Sequence, residues 1–285
     1  MRILILGSDG MLGHVVTTYL TEHQHEIIKT SRISGEKNYY DAYKNVYGIE
    51  GIIKETKPDA IINCIGILNE AAENNHALAV LLNSFLPNYL DSLAGQYHFQ
   101  LVHITTDCVF DGENGNYTED STPNAKSFYG LSKAMGEVKS SRTLTLRLSI
   151  VGPDINPNGI GLFSWFSKQS GEVKGYSKVY WTGVTTIELA RVIEEGLTQK
   201  ITGFHHVVNN EKIAKADLLR LFEKYFHFGI NIIDDGTKAS DKSLIRTEKS
   251  HDFHIPSYEE MVKNMRTWVD AHPNLYQDLK ERMDK

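Results

Sequence analysis

Arg2-Ile3-Leu4-Ile5-Leu6-Gly7-Ser8-Asp9-Gly10-Met11-Leu12-Gly13 opens the chain and decides its fold. An apolar run of β-branched and leucyl residues without alternation fits a strand buried on both faces, as in a parallel sheet covered by helices. Glycines at 7, 10 and 13 then permit a tight turn, a close backbone approach to a pyrophosphate, and close packing of the next helix on the strand. That helix runs to about Glu22, and its free N–H groups suit an anion. Asp9, Met11 and Leu12 lie between the glycines and join Gly7, Gly10 and Gly13 as candidate dinucleotide contacts. In a chain with 22 glycines a triplet alone is weak. Its place between strand and helix gives it meaning.

The second strand, His25 to Thr30, ends in Thr30-Ser31-Arg32. An NAD-preferring site places Asp or Glu there to hold the ribose 2′-hydroxyl. A cation with a hydroxyl favours the 2′-phosphate of NADP instead, so NADP(H) is expected over NAD(H), with Ser31 and Arg32 as contacts. Arg32 also fits a solvated surface residue. Asp41 either reaches the adenine or caps a turn. A helix at about 48–56 leads to a third strand, Ala60 to Ile65, and Cys64, Ile65, Gly66 and Ile67 are expected along the cofactor at its carboxyl end. A long helix from about Ala71 to Ala94 carries Asn83, another candidate cofactor residue, and Pro87 predicts a kink or break in it.

The fourth strand, Phe99 to Thr105, delivers Thr105 and Thr106 to the same edge. After a polar, turn-rich loop from Asp111 to Lys126, a helix over 127–141 places Tyr129 and Lys133 one turn apart on one face. A free phenol has a pKa of about 10, and a neighbouring cation favours the phenolate, which suits a proton donor near neutrality. The spacing alone proves little, since it recurs at Tyr40/Lys44 and Tyr276/Lys280. Only Tyr129 follows a strand ending in Thr105-Thr106. A fifth strand (Leu144 to Ile150), a helix (Leu162 to Gln169), a short strand (Lys178 to Thr182), a helix (Thr185 to Leu197) and a core strand (Phe204 to Val208) follow. Helices at about 214–226 and 257–270 close the chain, the last opened by Ser257 with Glu260 in capping-box register.

The alternation predicts an α/β fold with a doubly wound parallel sheet and a smaller, mostly helical C-terminal lobe. The sheet domain is expected over 1–152 and about 178–208, the substrate lobe over about 153–177 and 209–285. A net charge of −6 with dispersed Lys and Arg gives no footprint for nucleic acid or anionic membrane. Cys64 and Cys108 are the two cysteines and lack paired ligand spacing, so no disulfide framework or metal site is expected. The N-terminus lacks a signal-peptide apolar region and no apolar run approaches about 18 residues, which places the chain in the cytoplasm.

With Gly7-x-x-Gly10-x-x-Gly13, Thr106-Asp107, Phe110-Asp111-Gly112 and Tyr129-Gly-x-Ser-Lys133-x-x-Gly-Glu137 in this order, the chain resembles the extended short-chain dehydrogenase/reductases, and within them the dTDP-4-dehydrorhamnose reductase family. The resemblance covers roughly residues 1–210 well and the tail loosely. It implies NADPH-dependent reduction of the C4 ketone of a nucleotide-activated 4-keto-6-deoxy sugar, dTDP- or UDP-linked, in cell-surface polysaccharide precursor synthesis. Thr106 would bond the carbonyl oxygen, Tyr129 would protonate it, and Lys133 would lower the phenol pKa and hold the nicotinamide ribose. Asp107, Cys108, Val109 and Trp181 would face the sugar nucleotide, with Trp181 either stacking on it or belonging to the core. A nucleotide sugar is the expected partner, and a homodimer is left open.

The rhamnose enzymes usually carry Tyr and Trp where this chain has Cys108 and Ile150, so a different sugar is implied, such as a UDP-linked 2-acetamido one. The related 4,6-dehydratases place Asp-Glu after the catalytic Thr, whereas Cys108 follows Asp107 here. An epimerase-reductase of the GDP-fucose synthase type uses a Cys at this strand end with a His after a Gly-Pro loop. The stretch from Gly152 to Ser170 has no histidine, and Cys108 also fits a small buried hydrophobe. The remaining alternative is a non-catalytic NADP-binding regulatory subunit, like the β subunit of methionine adenosyltransferase.

Overall fold

The computed structural model describes residues 1–283. Its first half runs through β1 (Arg2–Leu6), α1 (Met11–Glu22), β2 (Glu26–Lys29), α2 (Ile49–Thr56), β3 (Ala60–Asn63), α3 (Asn69–Asn74), α4 (His76–Ala79), α5 (Leu86–Tyr97), β4 (Gln100–Thr106), α6 (Phe128–Met135) and β5 (Thr143–Leu148). The second half adds β6 (Ile150–Val151), α7 (Leu162–Phe166), β7 (Glu172–Trp181), β8 (Val184–Thr185), α8 (Thr186–Thr198), β9 (Gly203–His206), β10 (Ile213–Ala214), α9 (Lys215–Phe226), β11 (Asn231–Asp241), α10 (Tyr258–Ala271) and α11 (Gln277–Met283).

The central sheet has six parallel strands in the order β2-β1-β3-β4-β5-β9. This is the doubly wound sheet that the apolar strands predict. Alternate residues feed two cores. Ile3, Ile5, Ile62 and Val102 pack with α1 and α8, while Leu4, Leu6, Ile61 and Leu101 pack with α2 and α5. Each such fully buried aliphatic side chain contributes roughly 1.5–3 kcal/mol, so the sheet is a rigid platform. β1 sits between β2 and β3, so winding reverses there, and the residues after β1 and β3 share one crevice at the carboxyl ends.

Two helices depart from the expected spans for physical reasons. The long helix over 71–94 is divided into α3, α4, a π-turn over Val80–Phe85 and α5, with Pro87 in the first turn of α5. Proline has no N–H for the Asn83 carbonyl, and the wide π-turn absorbs the mismatch. α6 stops at Met135 rather than 141. Gly136 there packs so closely that a Cβ would lie 1.9 Å from the Asn83 carbonyl oxygen.

The smaller lobe carries a three-stranded sheet, β10-β7-β11, beside α9 and α10. The strand expected at Lys178–Thr182 begins at Glu172 and pairs with β10 and β11 instead of the central sheet. β11 has no apolar alternation and a register shift between Asp235 and Ala239, so pattern alone does not reveal it. Ser257 is the N-cap of α10, its Oγ accepting from Glu260 N at 3.2 Å, which is the serine half of the expected capping box. No helix among the described residues is long and apolar enough to cross a membrane.

Candidate active site

The turn after β1 is built from backbone. Gly7 has φ +77°, and a Cβ on it would meet the Cys64 carbonyl at 3.2 Å and Ile65 at 3.3 Å. A Cβ on Gly13 would lie 2.0 Å from the Gly7 oxygen. Gly10 N donates to Gly7 O at 3.2 Å, and α1 starts at an extended Gly10 with no side-chain cap and no acid in its first turn. Its leading N–H groups therefore remain available to an anion. Asp9 and Gly10 are exposed, Met11 is half-buried, and Leu12 belongs to the core. The structure thus brings Gly7, Cys64 and Ile65 together, with exposed Gly66 next in the chain.

α6 is fastened to the strand ends by the small residues of its own motif. A Cβ on Gly130 would lie 2.2 Å from the Cys108 carbonyl oxygen and 2.4 Å from Ala125. Ser127 Oγ caps Gly130 N at 3.2 Å, and Glu73 of α3 accepts from Tyr129 N at 3.1 Å. Asn83 Nδ2 donates to Ser132 Oγ at 3.0 Å and to Ile67 O at 2.9 Å, and its Oδ1 accepts from Ile67 N at 3.0 Å. Asn83 thus clamps the Gly66–Ile67 loop to α6, and its amide is occupied by the protein itself.

Tyr129 is buried at 8% exposure beside Thr106 and Cys108, and Lys133 is buried at 6%. Burial, with the Cys108 thiol second, pushes the Tyr129 phenol up, and the Thr106 hydroxyl beside it works against that push. Burial also pulls the Lys133 ammonium down to about 8. Lys133 Nζ donates to the Ile104 carbonyl at 2.8 Å. The expected lowering of the phenol pKa by Lys133 is therefore not what this structure shows: desolvation dominates at the phenol, and the groups that act on it are Cys108, Thr106 and Asp107. Thr106 Oγ1 donates to Asp107 Oδ1 at 3.1 Å and accepts from Cys108 N at 3.1 Å. It caps the turn after β4 while standing next to Tyr129. Burial raises the Asp107 carboxyl and brings the Cys108 thiol to about 11. The other Tyr-x-x-x-Lys copies lie elsewhere, Tyr40 bonded to the Val46 carbonyl at 3.1 Å and Tyr276 to His14 at 2.8 Å.

Four candidates take other places. Trp181 is 5% exposed in the main core, with Nε1 donating to Ser149 Oγ at 2.8 Å, so it does not stack on a ligand. Inward alternation along β7 puts it there. Val109 is fully buried with Phe110, Tyr117, Val208 and Leu244 and presents no surface to a sugar. Thr105 directs its hydroxyl to Glu137 Oε1 at 3.3 Å rather than into the crevice. Asp41 accepts from Tyr43 N at 3.1 Å and pairs with Lys44 at 3.8 Å, which makes it a turn cap. Ser31 lies at the edge after β2, its Oγ accepting from Ile33 N at 3.0 Å, and Arg32 is exposed with no ion pair among the described residues.

The structure also assembles residues that pattern reading passed over. Arg147 on β5 forms a dry bidentate pair with Glu137, Nε to Oε1 at 2.8 Å and Nη2 to Oε2 at 2.5 Å. An arginine inside the apolar run Leu144–Leu148 was the signal, since a buried cation requires a partner. Lys215 and Lys242 of the smaller lobe are half-buried without a hydrogen bond or ion pair among the described residues, and both charges hold the Asp107 carboxyl down against its burial. The loop over 111–126 is tied to the same lobe, Tyr117 N donating to Ser243 O at 2.8 Å and Thr247 Oγ1 to Glu119 Oε2 at 2.8 Å.

The structure thus gathers a buried Thr106, Tyr129 and Lys133 at the carboxyl end of β4, in the same parallel sheet whose β1 ends in the glycine turn. Comparison with known proteins finds relatives and solved structures of similar fold. A methionine adenosyltransferase 2 subunit beta from Xenopus tropicalis is 25% identical over 232 residues, 76% of this chain and 70% of that protein. A probable dTDP-4,6-dihydroxy-2-methyloxan-3-one 4-ketoreductase from Streptomyces antibioticus is 31% identical over 140 residues, 48% of this chain and 45% of the relative. Among solved structures, dTDP-4-dehydrorhamnose reductase from Bacillus anthracis in complex with NADP superimposes with a TM-score of 0.81 at 19% identity, covering 94% of this chain and 99% of that one, and shares the fold. The family model described as RmlD substrate binding domain matches residues 1–267, and the chain belongs to that family.

Proposed function

We propose that this protein is an oxidoreductase that uses NADPH to reduce the C4 ketone of a nucleotide-activated 4-keto-6-deoxy sugar, a step in making cell-surface polysaccharide precursors. The observation that supports the reading is Tyr129 buried beside Thr106 and one helical turn from Lys133 on α6. Membership of the RmlD family, the 4-ketoreductase relative and the NADP held by the Bacillus anthracis structure support it. Bound cofactor supplies the hydride. Thr106 and Tyr129 hold the ketone oxygen, and Tyr129 gives it a proton as the alkoxide develops. Lys133, which gives one N–H to the Ile104 carbonyl, has two more for the ribose hydroxyls. Arg32 and Ser31 receive the 2′-phosphate, and Lys215 and Lys242, facing Asp107 from the smaller lobe, supply positive charge for the substrate diphosphate. Asp107 and Cys108 line the sugar end, with the smaller lobe beside it.

A second reading is favoured by the likeness to the methionine adenosyltransferase subunit: a binding-only subunit that holds NADP and a partner enzyme. One assay separates the two. Purified protein is given NADPH and a panel of dTDP- and UDP-linked 4-keto-6-deoxy sugars, and reduced nicotinamide is followed with time. Sugar-dependent consumption supports the reductase. Tight NADPH binding with no consumption on any member of the panel supports the binding subunit.

A further inference from the structure

The proposed reaction uses Tyr129 and Lys133 of the α6 motif but gives no task to Glu137, four residues beyond Lys133. α6 ends at Met135, so Glu137 departs from the helical face. Its Oε1 accepts from Thr105 Oγ1 at 3.3 Å and from Arg147 Nε at 2.8 Å, while Oε2 takes Arg147 Nη2 at 2.5 Å. The two side chains are 4% and 0% exposed. Arg147 is enclosed in turn, its guanidinium 4.4 Å from the Phe204 ring centroid and 5.0 Å from that of Phe110. Arg147 Nη1 donates to His206 Nε2 at 3.1 Å, and His206 Nδ1 donates to the Ile245 carbonyl at 2.9 Å, which fixes the neutral imidazole. Arg147 is therefore held from its far side, and the carboxylate it grips is tied to the β4 end through Thr105.

That end carries both Thr106 and the Ile104 carbonyl that receives Lys133, and Thr105 lies between them. Building on the reductase reading, we propose that Glu137 is a positioning residue of this active site: clamped by Arg147, it fixes the end of β4 through Thr105 and supplies the negative charge that keeps Lys133 protonated. Burial pulls the Lys133 ammonium down to about 8, and the Glu137 charge opposes that pull. The other ionisable groups on the elements packed here are His103 on β4, Asp107 and Cys108 after it, Arg147 on β5, His205 and His206 on β9, Glu70 and Glu73 on α3, His76 on α4 and Tyr129 on α6. His103 is neutral, since burial first and the Lys133 charge second drive its pKa well down. Neutralising Glu137 removes the counter-charge and leaves Arg147 as an unmatched cation, and both changes favour loss of the Lys133 proton. A brace with no electrostatic role would lower stability without moving that titration.

The test is a titration of Lys133 in the full chain by the 13Cε resonances of labelled lysine, with Lys133→Arg used to assign the signal. The wild-type midpoint is expected near 8. In Glu137→Gln it falls by about one unit, and the alkaline limb of kcat/KM for ketone reduction moves with it. Glu137→Asp keeps the charge but withdraws it by one methylene, so a smaller fall is expected, and this variant serves where glutamine fails to fold. An unchanged midpoint in the folded variant overturns the proposal. The titration needs neither cofactor nor sugar. Absence of wild-type turnover would therefore strike the reductase reading alone, and an unshifted midpoint in an active enzyme would strike this inference alone.

Discussion

The Gly7–Gly13 turn and the Tyr129–Glu137 stretch, the two halves of the proposed site, are built on opposite principles. In the first, the working parts are backbone N–H groups, and the side chains matter by being absent: a Cβ at Gly13 would lie 2.0 Å from the Gly7 oxygen. In the second, the working parts are side chains, and each is held by a residue distant in sequence. Lys133 is held by Ile104, Ser132 by Asn83 and Glu137 by Arg147. A backbone device is local and can be read from a few letters. A side-chain device is complete only after folding.

The largest effect that tests this contrast is expected from Gly13→Val, which drives a branched side chain into the Gly7 carbonyl. Overpacking of this kind costs about 1–3 kcal/mol, and the moved turn should lose dinucleotide binding by about 100-fold or more. Calorimetric titration with NADPH together with thermal unfolding checks both. Wild-type affinity would show that the turn is not closed by backbone contact. Tyr129→Phe comes next. It removes the proton donor alone, so turnover should fall by about 10² or more while NADPH binding stays nearly intact. Turnover like that of the wild type would remove Tyr129 from the chemistry.

Arg32→Ala sharpens the comparison at the edge of the turn. NADPH affinity should drop about tenfold with little change for NADH, and equal losses for both cofactors would exclude a 2′-phosphate contact. A further effect concerns Lys133 and stability. Its pKa near 8 in the folded chain lies below the 10.5 of the free side chain, so the folded state binds fewer protons between these values. Stability should therefore rise with pH through that window, by at most about 1.4 kcal/mol per pH unit. Lys133→Met should lack this rise in urea midpoints measured from pH 8 to 10, and parallel curves for the two proteins would contradict the buried ammonium.

The sequence is informative where physics is local. The apolar runs of β1, β3 and β4 announced a covered parallel sheet, and the glycine spacing announced the turn at its reversal. Ser257 announced a helix start. It is less informative where burial is decided at long range. Trp181 and Val109 look available to a sugar from their motifs, yet the lobe sheet and the Phe110–Tyr117 stack enclose them. The end of α6 was placed too late because nothing in 136–141 forbids a helix as firmly as the packing of Gly136 on Asn83 and the pull of Arg147 on Glu137. Lys215 at the start of α9 and Lys242 just after β11 belong to no motif, and only the meeting of the two lobes brings them toward Asp107.

The most direct measurement of the central claim is transfer of label from NADPH deuterated at nicotinamide C4 to a nucleotide-linked 4-keto-6-deoxy sugar, followed by NMR of the product. Deuterium appearing at sugar C4 with the wild type, and at a rate lowered about 10² or more in Tyr129→Phe, is the predicted result. Bound NADPH that never delivers deuterium to any such sugar would contradict it.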